Sequence, residues 1–284
     1  MNRRRPVRRR RWPRLDYLAI LLAPFGVAVI AAAHFLDGSR FGALVDGPSA
    51  MVVFGGTLGA VLISYSPAEL VRTARAIIAT FRAPDDDFDS LAATIVTLAI
   101  RSHRRGPQAL EQDIDTVSDP MLKNGLGLVV DGAPPELLNQ VMSLESRTQE
   151  ADEDIPARVV ESAAGYAPTM GILGAVLGLM RVMEHINSPE LLGGGIALAF
   201  VATVYGVGFA NLVLLPIAGR LRERSLARSR RRELILQGLD ALQQRINPRL
   251  VAQKLRVFAN RMPRIDELAA HGLRTAAARP GIPA

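Results

Sequence analysis

At 284 residues, 49% hydrophobic and only 5% aromatic, with mean hydropathy +0.19, the chain is long enough for a sizeable core or several membrane crossings. It contains no cysteine, which excludes a disulfide framework and any thiolate metal site. The formal charge of +7 admits a nucleic-acid partner or a membrane surface, and the placement of that charge decides between them.

Residues 1–16 carry eight arginines and one aspartate, and read as a basic cytoplasmic terminus. The run that follows, 17–36 (YLAILLAPFGVAVIAAAHFL), has no charged residue and no small-residue cleavage site, so it is expected to stay as a first span. Residues 37–46 form a short outer connection with one arginine, and 47–68 a second, glycine- and serine-rich span. The long connection 69–161 has nine basic and seventeen acidic residues. It reads as helices: "ELVRTARAIIATF" (69–81) is amphipathic, "DDDFDSLAATIVTLAIR" opens with acids that suit a helix N-terminus, and "PPELLNQVMSLESRTQ" opens with prolines. A third span is expected over 162–180, a short outer connection with one arginine over 181–190, and a fourth span over 191–219. Residues 220–284 hold fifteen basic and five acidic residues, seven of the arginines within "RLRERSLARSRRR" (220–232). In that tail "ELILQGLDALQQRI" has helical spacing, is broken at Asn247–Arg249, and resumes as "LVAQKLRVF".

Cations thus concentrate on one side of the spans, the signature of a multi-pass membrane protein with both termini cytoplasmic. The basic runs belong to topology and to anionic lipid, not to nucleic acid. The fold class is all-α: four transmembrane helices and a helical cytoplasmic domain built from the long loop and the tail, continuous with the third and fourth spans.

Within "GYAPTMGILGAVLGLMR" (165–181) four glycines and a proline interrupt an apolar run. In lipid, helices associate through small residues that let backbones approach. Gly171, Gly174 and Gly178 of the third span, and Gly55 and Gly59 of the second, are expected to pack helices closely, with Gly206 and Gly208 on the fourth. Pro168 and Pro216 remove backbone hydrogen bonds and are expected at similar depth, as joints between membrane and cytoplasmic helices. Spans two to four contain no Asp, Glu, Lys, Arg or His, and the first has only His34. Intramembrane carboxylates and histidines mark ion relays, so another chain must supply any ion carrier. Thr57, Ser64, Thr169, Thr203, Tyr205 and Asn211 serve either helix–helix hydrogen bonds or a pore lining. No P-loop, HExxH or GxSxG is present, so the chain is not read as an enzyme, and no cofactor or metal is expected.

"GYAPTMGILGAVLGLM" with "GGGIALAFVATVYGVGFANLVLLPIAGRL" resembles the last two spans of the MotA/PomA flagellar stator A subunits, of the wider MotA/TolQ/ExbB group. "VVFGGTLGAVLISY" is similar to that family's second span, and "RRGPQALEQDI" to its rotor-contact segment. The resemblance covers residues from about 17 to 260 and implies a pentameric ring around a pair of MotB/PomB-like single-span subunits, torque on the rotor protein FliG, and an ion carrier on the partner. It implies that Pro168 and Pro216 are coupling prolines and that Thr203 faces the ion site, with Ala175 and Tyr205 beside the pathway. Alanine at 175, where sodium-driven members carry threonine, points to H+ over Na+. Glu111 matches the acidic rotor contact. His103 stands at the matching basic position, so Arg104 is taken as the basic contact; the segment 101–115 also reads as a solvated charged face. A TolQ/ExbB-type energiser of a periplasmic or outer-membrane process is the alternative, disfavoured by the extra amino-terminal hairpin.

Overall fold

The computed structural model describes residues 45–81, 88–184 and 189–258, together with residues 28, 29 and 32. The basic amino terminus, nearly all of the expected first span with His34, and the end of the tail lie outside the described residues. All regular structure among the described residues is helical. Three helices are long and apolar enough to cross a membrane, Gly47–Ser64, Pro135–Glu184 and Gly195–Gln243, where the second, third and fourth spans were expected.

Local chemistry sets where these helices begin and end. In α1 (Gly47–Ser64) the Asp46 carboxylate accepts from the Ser49 N–H and Pro48 occupies the first turn. The helix widens into a π turn at Met51–Gly55 and stops at Ser64, because Tyr65 takes extended backbone. The apolar composition alone carried the expected span on to residue 68. What ends it earlier is Ser66, held extended ahead of Pro67, whose hydroxyl forms a reciprocal capping box with Glu69 and opens α2 (Pro67–Thr80). At its far end, the last carbonyls of α2 have no helical partners of their own. Arg224 fills that need, donating to the carbonyls of Ala79 at 2.6 Å and Thr80 at 3.0 Å. Part of the arginine run that composition assigns to topology and lipid therefore has a structural task inside the chain.

The remaining elements are α3 (Phe88–Arg105), a 3₁₀ turn at Pro107–Leu110, α4 (Glu111–Ile114), α5 (Pro120–Val130), α6 (Pro135–Glu184), α7 (Pro189–Phe209), a π turn at Ala210–Leu214, α8 (Leu215–Gln243) and α9 (Pro248–Leu255). The helix expected from the prolines at 134–135 and the third span are one unbroken helix, α6, which also carries Pro156 and Pro168 in its interior. Asn247 caps α9 through the Arg249 N–H, at the break foreseen in the tail.

The chain divides into two units, Met1–Pro84 with Glu153–Arg224, and Asp85–Asp152 with Ser225–Ala284. The first holds the apolar helices. Their contacts use small side chains, as in the cluster of Ala164, Ala167 and Ala210. The second is built like a soluble domain, around Ile95, Leu122, Leu126, Met142, Leu234 and Leu239. Two glycines make that core dense: a Cβ on Gly125 would meet Leu239 at 2.1 Å, and one on Gly238 would meet Ile95 at 2.6 Å.

Candidate functional site: a glycine-lined helix pair and a charged turn

In the membrane unit, α6 and α7 meet backbone to backbone. A Cβ built on Gly206 would lie 2.5 Å from the Ala167 carbonyl oxygen and 3.0 Å from the Gly171 Cα. One on Gly171 would lie 3.0 Å from the Ala202 carbonyl oxygen, one on Gly174 2.8 Å from the Ala202 methyl, and one on Gly178 3.1 Å from the Ala199 Cα. Gly171, Gly174 and Gly178 therefore form a continuous close-packed stripe against Ala199, Ala202 and Gly206. Gly55 and Gly59 of α1 behave differently, with nothing within 4 Å of either position. The glycine of α1 that meets another helix is Gly56, where a Cβ would strike the Met170 sulfur at 2.8 Å. Within one chain the GxxxG pair of the second span faces away from the α6–α7 pair. Helix phase, set by which face of α1 meets Met170, separates Gly56 from its two neighbours in the motif.

This register fixes the depth of the polar groups. Ala175 follows Gly174 and Thr203 follows Ala202, so the two lie in one layer of the antiparallel pair, both half-buried. Tyr205 stands two residues beyond Thr203 and is held from two sides. Phe54 stacks on its ring with centroids 5.8 Å apart, and its hydroxyl accepts the Asp46 N–H at 3.2 Å. Phe54 also packs edge-on against Phe209 at 5.0 Å. Phe54 lies within the π turn of α1, and Phe209 directly precedes the π turn after α7. Such widened turns re-aim side chains and recur at functional sites. Periodicity gives no warning of them, and Phe54 was not singled out in the sequence.

Pro168 sits inside α6, half-buried, and removes the N–H that the Ala164 carbonyl would otherwise receive. Pro216 is the second residue of α8 and follows the π turn Ala210–Leu214, which loosens the backbone just ahead of it. The two prolines are not level. With Gly171 against Gly206 and Val160 clustered with Ala218 and Leu221, Pro216 lies beside roughly residue 161, about seven residues or 10 Å towards the amino-terminal end of α6 from Pro168. Counting from the flanking charges misplaced them because Glu161 and Arg220 do not mark the same plane.

In the other unit, α3 ends on His103, Arg104 and Arg105, all exposed, as suits cations at a helix C-terminus. Gly106 then turns the chain with φ +84°, a conformation open to glycine and costly for other residues. The 3₁₀ turn and α4 follow and present Glu111 on the surface. The turn is pinned beneath by an ion pair between Arg101 and Asp113, the latter buried. Lys123 pairs with Asp115 at 2.9 Å and holds that carboxyl below the usual carboxylate range. Asp119 caps α5 through the N–H groups of Met121 and Leu122 and receives Arg231 at 2.9 Å. The sequence reading named Arg104 and Glu111 and passed over Arg101, Asp113 and the whole of α5. The signal for α5 was present: Asp119-Pro120 is a cap followed by a first-turn proline, and Gly132 closes the far end with φ +72°. Among the described residues, no group of three or more His, Asp or Glu side chains could hold a metal ion.

The family profile described as the MotA/TolQ/ExbB proton channel family matches residues 113–234. Motility protein A of Treponema phagedenis is 30% identical over 244 residues, 86% of this chain and 94% of that protein. The chain belongs to the motility protein A family. An uncharacterized Bacillus subtilis protein, YtxD, is 32% identical over 251 residues, 87% of this chain and 92% of YtxD. Among solved structures, the flagellar MotAB stator complex from Bacillus subtilis matches with a TM-score of 0.76 and 28% identity, covering 93% of this chain and 99% of that one. For a motility protein A, the glycine-packed helix pair lies wholly inside the profile match, with Pro168, Ala175, Thr203 and Pro216. Arg104 and Glu111 precede its start.

Proposed function

We propose that this stator A subunit converts a proton motive force into torque on a flagellar rotor without covalent chemistry. In this reading several copies, five by family resemblance, form a ring in the inner membrane around single-span MotB-like subunits. The observation that carries it is the inventory of the described spans: 47–64, 162–180 and 192–219 contain no group that exchanges a proton near neutral pH. A carboxylate on the partner must carry the ion, while this chain contributes the Ala175–Thr203 layer and the stiff α6–α7 pair. A methyl at Ala175 offers no oxygen to Na+, which favours H+. Pro168 and Pro216 serve as bending points, and the exposed Glu111 and Arg104 on their pinned turn engage oppositely charged groups of a rotor protein such as FliG.

The test is genetic and physiological. Deletion of the gene abolishes swimming, the full-length gene restores it, and a protonophore stops the restored swimming while removal of external sodium does not. Undiminished swimming of the deletion strain refutes the stator reading. Dependence on sodium refutes the proton assignment alone.

A further inference from the structure

Where α1 ends, four hydroxyls tie it to α6 in a reciprocal arrangement. Ser64 donates its hydroxyl to the Ala60 carbonyl at 2.7 Å, so its contact with Tyr166, at 3.1 Å, must receive the tyrosine proton. Tyr65 donates to the Arg158 carbonyl at 3.3 Å, so at 2.6 Å from Ser162 it is the acceptor. One tyrosine and one serine thus come from each helix, and every proton has a place. Ser162 and Tyr166 are four residues apart on one face of α6. Ser162 differs from several other helical hydroxyls among the described residues. Thr57, Thr73, Thr80 and Thr97 all return theirs to the carbonyl four residues back. In Ser162 the hydroxyl reaches across to the other helix, and Tyr65 takes the carbonyl of Arg158 instead.

The position of this cluster gives it a role. It lies immediately to the cytoplasmic side of Pro168, and Tyr65 and Ser66 form the corner from which α2 departs. We propose that Tyr65 and Ser162, with Ser64 and Tyr166, act as a latch that fixes the α1–α2 corner to the cytoplasmic segment of α6. Bending at Pro168 then carries the corner and α2 along with that segment. The four are positioning residues, and the proposal rests on the stator reading of Pro168 as a bending point. Hydroxyl pairs suit the task, because they fix direction as well as distance where the surrounding contacts are apolar and slide easily.

The experiment has two arms on the full-length protein. In the first, hydrogen exchange of the purified membrane protein is followed over Ser64–Leu70. Tyr65→Phe and Ser162→Ala are each expected to speed it by roughly tenfold, and the double variant by no more than either alone. Ser162→Thr, which keeps the hydroxyl, is expected to match the wild type. Exchange that is unchanged in both single variants, or effects that multiply in the double, overturns the latch. In the second arm, motor torque is measured in cells. The latch variants are expected to lose several-fold of torque at high load while Ser162→Thr retains it. Loosened exchange with full torque at high load overturns the transmission role and leaves the tie purely structural. Failure of the stator reading shows separately, as swimming that does not need the gene at all, and the exchange arm still decides the latch.

Discussion

The tightest approach to another helix's backbone in the membrane unit predicts a specific intolerance at Gly206. An added methyl there would lie 2.5 Å from the Ala167 carbonyl oxygen, 3.0 Å from the Gly171 Cα and 3.2 Å from the Gly171 nitrogen. Ordinary carbon contacts begin near 3.4 Å, so α6 and α7 must part by about 1 Å, and backbone atoms have no rotamer to yield. A gap of that size forfeits a quarter to a half of the dispersion energy along the seam, and overpacking of this kind costs about 1–3 kcal/mol. Gly208 is the control, two residues away in the same helix with nothing within 4 Å. Alanine there meets no obstacle and gains helix propensity. Thermal unfolding of the purified protein in detergent should show Gly206→Ala melting several degrees below the wild type, about 2–4 °C for each kcal/mol, and Gly208→Ala at or above it. Equal melting of the two variants refutes the claim that this pair is held by backbone contact.

Other consequences are open to test. Arg245 sits with φ 52° after α8, with the same pair of closing hydrogen bonds that Gly132 makes after α5. Arg245→Gly should therefore raise stability by about 1 kcal/mol and Gly132→Ala lower it by a similar amount, read as opposite shifts in melting temperature. The backbone and hydroxyl of Ser66, each 2.8 Å from the Glu69 carboxylate, hold its pKa below the ordinary value. A carboxyl depressed in the folded state stabilises above its unfolded pKa, and that contribution disappears as pH falls through the folded value. Protection from exchange at the start of α2, taken relative to the intrinsic rate at each pH, should fall on acidification through that range, and Glu69→Gln should remove the dependence. Because Glu69 is only half-buried, a modest change is expected, and added salt should weaken it.

Much of this architecture can be read directly from residues, and the rest cannot, for a physical reason. Uncharged runs of about 20 residues announce spans wherever they occur, and caps announce corners: Ser66 with Glu69 and Asn247 with Pro248 both stand where helices begin. The pairing of the spans is another matter. In water the polar face of a helix reveals which side is buried, but α1 and α7 are apolar all round, so periodicity carries no phase. The motif pair Gly55 and Gly59 thus looked like a packing face, while the neighbouring Gly56 makes the contact. The same lack of phase hid the Tyr65–Ser162 tie and the register that sets Pro168 and Pro216 at different depths. Arg224 illustrates a second blind spot, since in a run of seven arginines nothing distinguishes the one that caps α2 from Arg231, which pairs with Asp119.

The central claim is that this chain builds an ion path and lacks the ion carrier, and proton flux into liposomes tests it most directly. Vesicles holding the full-length protein alone, under an imposed membrane potential, should acidify no faster than empty vesicles. Vesicles in which it is co-reconstituted with a single-span partner bearing an intramembrane aspartate should conduct. Proton flux through this chain by itself contradicts the account.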